Sequence, residues 1–184
     1  MLENGLLSIP GKRCRVLHVA PTEQALRELF ESKGNYTAGD LNAPSYKDCG
    51  VLSVDLTNLS NFDSFDLIYA SHVLEHIDDD KLVFDQMYEH IDPGGEAWIL
   101  VPLRNGTTKD GQIDMSPSER EREFGQWDHV RLYGRDIVDR LSLAGFSVRT
   151  IDPRTIHTDI KEKHGFDLGD VVFVAKKNND SVYP

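Results

Sequence analysis

The residues able to do chemistry in this chain of 184 residues fall into a few short clusters. Gln126-Trp127-Asp128-His129, with Arg131 two positions on, sets an imidazole among a carboxamide, a carboxylate and a guanidinium. An imidazole titrates near neutrality and can take a proton from an acceptor, while a guanidinium can hold an anion. Asp40-Leu41 and Asp55-Leu56 each put a carboxylate beside an apolar side chain. Such pairs suit a nucleoside, the first carboxylate accepting from ribose hydroxyls and the second from an exocyclic amine over an apolar seat. His18-Val19-Ala20-Pro21-Thr22-Glu23 and Ser71-His72 complete the set.

Short apolar runs alternate with amphipathic stretches to carry these clusters. Strands are expected over 14–20 (CRVLHVA), 35–41, 50–56, 65–71 (FDLIYAS) and 96–103 (EAWILVPL), with FSVRTID and DVVFVAKK closing the chain. Residues 23–33 read as a helix with Ala25, Leu26, Leu29 and Phe30 on one face. A second helix over 78–90 turns Leu82, Val83, Met87 and Ile91 toward the core, and a third covers 134–145. DPGG (92–95) reads as a turn, and the polar residues between Arg104 and Arg131 as a long loop, a length usually kept for function. Near-continuous apolar strands alternating with helices imply a mostly parallel sheet covered on both faces. The last two strands add an antiparallel hairpin at one edge. The fold class is therefore α/β, a doubly wound seven-stranded sheet forming one domain, with 1–11 a loose lead-in and 178–184 a loose tail.

In such a sheet ligands sit beyond the carboxyl ends of the strands. Those ends are Ala20 to Glu23, Asp40-Leu41, Asp55-Leu56 and Ser71-His72, the clusters already singled out. The first strand-to-helix junction contains no glycine. Pyrophosphate cofactors need glycines there so that backbone amides can approach the phosphates. The junction thus argues against a dinucleotide or ATP and allows S-adenosylmethionine, which has a ribose, an adenine and a sulfonium but no phosphate.

The formal charge of −11, from 31 acidic and 20 basic residues, argues against nucleic acid or an anionic membrane as partner. No apolar run approaches the ~20 residues that span a bilayer. The two cysteines, Cys14 and Cys49, form no metal or disulfide pattern, so a reducing cytoplasm is the expected setting.

SHVLEHIDDD followed by DPGGEAWILVPL resembles the corresponding region of class I S-adenosylmethionine-dependent methyltransferases. VLHVAP, SERERE-FGQWDHVRLYGRD and RLSLAGF further resemble a small bacterial branch of that superfamily often found alongside glycosyltransferases. The resemblance covers residues 14–176. It implies that His18, Val19, Ala20, Pro21, Thr22, Glu23, Asp40, Leu41, Asp55, Leu56, Ser71 and His72 surround the cofactor. It also implies that Gln126, Trp127, Asp128 and Arg131 help form the acceptor site, with a small molecule or a saccharide hydroxyl as acceptor. The chain reads A-P-T-E where the branch tends to read A-P-E, which displaces the acid by one position.

His129 is the candidate catalytic residue, either as the base that takes the acceptor proton or as an anchor for its loop. His72-Val-Leu-Glu75-His76 also fits H-x-x-E-H, but that zinc signature works in mid-helix and here it follows a strand directly. No metal is therefore expected, and His76 reads as a packed or capping histidine. His18, inside a strand, reads equally as core. Residues 119–123 (EREREF without its Phe) alternate in charge and read as a solvated helical turn, and Trp98 as core. The competing functional reading is a scaffold that binds the cofactor without turnover, as one half of a heteromer.

Overall fold

The computed structural model describes residues 7–9, 13–46, 50–155 and 171–179. Most of the lead-in, most of the tail, Cys49, and the connection between the last two strands lie outside the described residues. The chain runs β1 (Cys14–Val19), α1 (Gln24–Glu31), β2 (Gly34–Asp40), β3 (Leu52–Ser53), β4 (Phe65–Ser71), α2 (Asp80–His90) and β5 (Ile91–Leu100). Then follow β6 (Lys109–Asp110), α3 (Pro117–Phe124), β7 (Arg131–Leu132), α4 (Ile137–Leu143), β8 (Ser147–Ile151) and β9 (Val172–Lys176). Seven strands form one sheet in the order β3-β2-β1-β4-β5-β9-β8, while β6 and β7 pair separately. All main-sheet pairs are parallel except those made by β9, which runs antiparallel to both β5 and β8. The doubly wound α/β sheet with a hairpin at its edge is thus the observed fold.

Its core follows from alternation along the strands, since successive side chains point to opposite faces. Leu17, Val19, Ile68, Ala70 and Ile99 pack under α2 and α4 against Phe84, Met87, Ile137 and Leu141. Val16, Leu67, Tyr69, Trp98, Val172 and Val174 form the other face with Phe30 of α1. The central strands are buried on both sides, which is why they carry almost no polar residues. Arg15 and Asp66 fasten the lower ends of β1 and β4, with the Asp66 carboxylate accepting from the Arg15 backbone N–H at 2.7 Å and from its guanidinium.

Several elements differ from expectation. The strand expected over 50–56 shrinks to two residues, and Leu52 lies half-exposed. Leu82 faces solvent, and Ile91 opens β5 instead of closing α2. Ala25 is exposed, leaving Phe30 as the one fully buried residue of α1. DPGG is no free turn but the irregular opening of β5, opposite a register shift between Phe65 and Leu67. Gly94 holds φ +87° there while its N–H donates to Lys177 O at 2.7 Å. The third helix is shorter than expected, spanning Ile137–Leu143.

The largest difference lies between Arg104 and Arg131, which is structured. Ser116 and Glu119 form a reciprocal capping box with Pro117 opening α3, and Gly125 ends that helix in the left-handed region. The alternating charges at 119–123 lie on this helix. β6 and β7 close the excursion on itself, pairing Lys109 with Leu132 and Asp110 with Arg131.

Candidate active site

An open crevice of about 780 Å³ lies beyond the carboxyl ends of β1, β2 and β3 and the turn after β4. Val19 and Ala20 line it from β1, Asp40 and Leu41 from β2, Asp55 and Leu56 from the segment after β3, and His72 from β4. A second lobe of about 390 Å³ adjoins it through the shared residues Ala20, His72 and His76. Thr22, Glu23, Ser71, Glu75, Gln126 and His129 line that lobe. Asp128 lies on the wall of the first.

The glycine-free junction is built by strain in place of glycine. Ala20 has φ +49°, in the left-handed region where an L-residue pays roughly 1–2 kcal/mol. Ala20 N–H donates to Gly39 O, and Thr22 N–H reaches back to Ala20 O at 2.8 Å around Pro21. His72, directly after β4, is in the same region, with φ +54°. Both strained residues stand at the rim between the lobes.

Asp40 receives the Asn42 backbone N–H at 2.6 Å on one oxygen and the Tyr46 hydroxyl at 2.9 Å on the other. Burial and that bond push the Tyr46 phenol up to about 12, so it stays a donor at neutral pH. Asp55 takes the Thr57 backbone N–H and hydroxyl on one oxygen, leaving its second oxygen without a hydrogen bond from these partners. Burial raises the Glu23 carboxyl, but His18, its own backbone and Ser71 lower it further, and the net position is below the ordinary value.

Not every expected residue reaches the crevice. His18 is fully buried behind it, its Nδ1 3.1 Å from the Tyr36 hydroxyl and its Nε2 3.4 Å from Glu23. Phe30, Tyr36 and Tyr69 meet its ring edge-on, so it props Glu23 from the core. Pro21 is buried and lines neither lobe, and Trp127 points to solvent, 61% exposed.

Arg131 lines neither lobe and is placed as a brace. It is buried, and its guanidinium donates to the carbonyls of Leu74, Ile77 and Asp78 and to Asp110. Asp80, Asp110, Tyr133 and Arg140 complete the network, with Tyr133 Oη and Arg140 Nη1 both donating to Asp80 Oδ2. Such a guanidinium has little left for a ligand. Together with Val130 N–H donating to Glu75 O at 2.8 Å, it fixes the 126–131 segment against the turn after β4.

Residues 72–76 leave β4 and pass through a single 3-10 turn, Leu74–His76, so His72 and His76 do not share a helix face. The zinc-peptidase arrangement is not formed. A different grouping was invisible in the sequence: His76 Nδ1 lies 3.3 Å from Asp128, and the His76 and His129 rings meet edge-on with centroids 4.7 Å apart. Glu75, 1% exposed, lies beside them. The one available signal was an acid in a stretch that otherwise returns to the core at Leu74.

A methyltransferase-domain family profile matches residues 13–152. No curated protein matches the chain significantly in sequence. Among solved structures, a SAM-dependent methyltransferase from Archaeoglobus fulgidus superposes with a TM-score of 0.65 at 19% identity, over 96% of this chain and 91% of that one. An S-adenosylmethionine-dependent methyltransferase from Mesorhizobium loti gives 0.62 at 15% identity, over 94% of each chain. The Burkholderia thailandensis 1,6-didemethyltoxoflavin-N1-methyltransferase, solved with its substrate and S-adenosylhomocysteine, gives 0.60 at 18% identity, over 91% of this chain and 72% of that one. A strand order that puts its crevice at the ends of β1, β2 and β4, and a family profile over most of the chain, lead to one assignment: the chain belongs to the methyltransferase-domain family and has the fold of its solved members.

Proposed function

We propose that the chain, as a single domain over 1–184, transfers a methyl group from S-adenosylmethionine to a small uncharged acceptor, with a hydroxyl, such as that of a saccharide, as the methylated group. The observation that carries this reading is the charge of the crevice. Asp40, Asp55, Asp78, Asp79 and Asp128 line the first lobe and Glu23 and Glu75 the second, and among the described residues no lysine or arginine lines either. Such a wall repels phosphate and favours a cofactor bearing sulfonium and ammonium charges. The same absence of cations from the second lobe favours an uncharged acceptor over an anionic one, since Arg131 is already committed to carbonyls.

Asp40 would accept from the ribose, and Asp55 from the adenine amine with Leu56 as the apolar seat. Glu23, Ala20 and Ser71 would face the amino-acid tail. When bound, the cofactor supplies an electrophilic methyl carbon whose bonding pair stays with sulfur as it leaves. His129 handles the acceptor proton: its Nδ1 lies 3.2 Å from Phe124 O, which fixes the proton on Nδ1 and leaves Nε2 with the lone pair. Nε2 would be the atom that receives the acceptor's proton. Gln126 and Asp128 position the acceptor beside it. Buried Cys14, whose thiol burial pushes up to about 11, takes no part and fits a reducing compartment. No described helix is long and apolar enough to cross a membrane.

Calorimetric titration with S-adenosylmethionine and S-adenosylhomocysteine tests the cofactor assignment. Micromolar binding of both is expected, and binding of neither would point to a cofactor site that is lost or completed only by a partner, as in the heteromer reading. With an acceptor found by screening sugars, His129→Ala should lower turnover ~10²–10⁴-fold at unchanged cofactor affinity.

A further inference from the structure

We infer that Glu75, His76 and His129 form a binding site for a divalent transition-metal cation of the zinc type, open toward the second lobe of the crevice. One ligand-capable atom from each of these residues lies within 4.8 Å of those of the other two. Ligands about 2.0–2.1 Å from a tetrahedral ion lie somewhat closer together than this, so small side-chain rotations close the site.

Glu75 points to a ligand on its own account. It is 1% exposed and neither carboxyl oxygen accepts a hydrogen bond among the described residues, although His72 Nδ1 lies 3.4 Å from one of them. A buried carboxyl is normally paired or bound to a metal. Each histidine also has the kind of second partner that metal-ligating histidines have. His129 Nδ1 faces the Phe124 carbonyl at 3.2 Å and His76 Nδ1 faces the Asp128 carboxylate at 3.3 Å. A carbonyl or carboxylate on one ring nitrogen fixes the tautomer and directs the other nitrogen's lone pair at a metal. Two imidazoles and a carboxylate leave a fourth position open, the pattern of catalytic rather than structural zinc. That position faces a lobe lined by Ser71 and Gln126, where an acceptor heteroatom would complete the coordination.

The site stands on its own geometry, but its purpose rests on the methyl-transfer reading. It also sharpens that reading, because with the cation in place His129 serves as a ligand and the cation, not a free imidazole, makes the acceptor hydroxyl more acidic. The residues are drawn from two segments, 75–76 and 128–129, brought together by the Arg131 brace and by Val130 N–H on Glu75 O.

The test is titration of tag-free, chelator-treated protein with Co²⁺ alone, without cofactor or acceptor, read by the visible d–d absorption of the bound ion. One equivalent is expected to bind with the intense bands of four- or five-coordinate cobalt, and Zn²⁺ is expected to displace it. Glu75→Gln, which keeps the shape of the buried side chain, and His129→Ala should each weaken binding by 100-fold or more and change the spectrum. Asp128→Asn, which leaves the ligands in place, should weaken it 10–100-fold. Absence of a stoichiometric bound ion, or binding unchanged in both Glu75→Gln and His129→Ala, overturns the site. Failed metal binding with intact S-adenosylmethionine binding removes the site alone, whereas the reverse result removes the methyl-transfer reading alone.

Discussion

The first lobe of the crevice draws on the ends of β1 and β2 and the segment after β3, which any sheet of this order brings side by side. Its polar groups are short carboxylates at strand ends, partly solvated and held by local turns such as Asn42 N–H on Asp40. The second lobe joins the turn after β4 to a segment some fifty residues later, and it buries Glu75 and His129. What the sheet provides by topology in one place, a guanidinium provides by hydrogen bonding in the other. The difference teaches where each lobe is vulnerable: the first to loss of a single contact, the second to loss of the brace that assembles it.

Arg131→Ala should break that comparison most deeply. It strands three carbonyls and leaves Asp110 and Asp80 with fewer partners, at a cost of about 3–5 kcal/mol in stability by denaturant unfolding. Among molecules still folded, the first lobe should keep its cofactor affinity within about twofold; a parallel collapse of both would show that the lobes are not separately built. The substitution should also change the acid limb of the stability curve. Burial raises the Asp110 carboxyl, but its bonds to Arg140 and Arg131 lower it by more, so its net position is depressed. A depressed carboxyl contributes stability that is present above its unfolded value and lost as pH falls through its folded one. Wild-type stability should therefore decline below about pH 4, and Arg131→Ala should decline less.

Asp40→Asn sharpens the comparison from the other side. It keeps the shape and one acceptor but removes the charge, so S-adenosylhomocysteine should bind roughly tenfold more weakly, a loss of about 1.5 kcal/mol. Fold stability should hardly move. Metal binding in the second lobe should stay as it was. Ala20→Gly carries the smallest effect. Relief of the left-handed backbone is worth about 1–2 kcal/mol, and the added freedom of glycine in the unfolded chain returns about 0.5–1 kcal/mol of that. A rise in melting temperature of a few degrees at most, with unchanged cofactor affinity, is the expected outcome; a large loss of stability would show that the alanine methyl is packed rather than strained.

The first lobe was legible because period-two alternation finds strands, and strand ends are where such sheets bind ligands. Asp40, Leu41, Asp55 and Leu56 all line it for that reason alone. His18 could be read either as ligand or as core, since one position along β1 decides which face a side chain takes, and it takes the face under α1. The third strand was overestimated because GVLSVDL is apolar enough for a full strand, yet only Leu52 and Ser53 pair with β2. The 104–131 segment hid its helix behind charges. Ser116-Pro117-Ser118-Glu119 carries a full capping signature, but no apolar stripe follows it because α3 buries only Phe124. Glu75 and His76 could not be joined to Asp128 and His129 by spacing, because the contact is made by a brace whose carbonyl partners carry no side-chain signature.

The excursion from Arg104 to Tyr133 starts and finishes at one point, where Arg104 N–H donates to Tyr133 O at 2.8 Å and Leu103 bridges to Tyr133. Chain inserted between two residues that already touch adds little to the entropy of closing the fold, roughly 0.6 kcal/mol for each doubling of its length. Provided the Arg131 brace is kept, the seven-stranded platform therefore tolerates changes of length in the stretch around α3. The α3 segment behaves as an interchangeable cartridge, free to be lengthened, shortened or rewritten while the sheet below stays as it is.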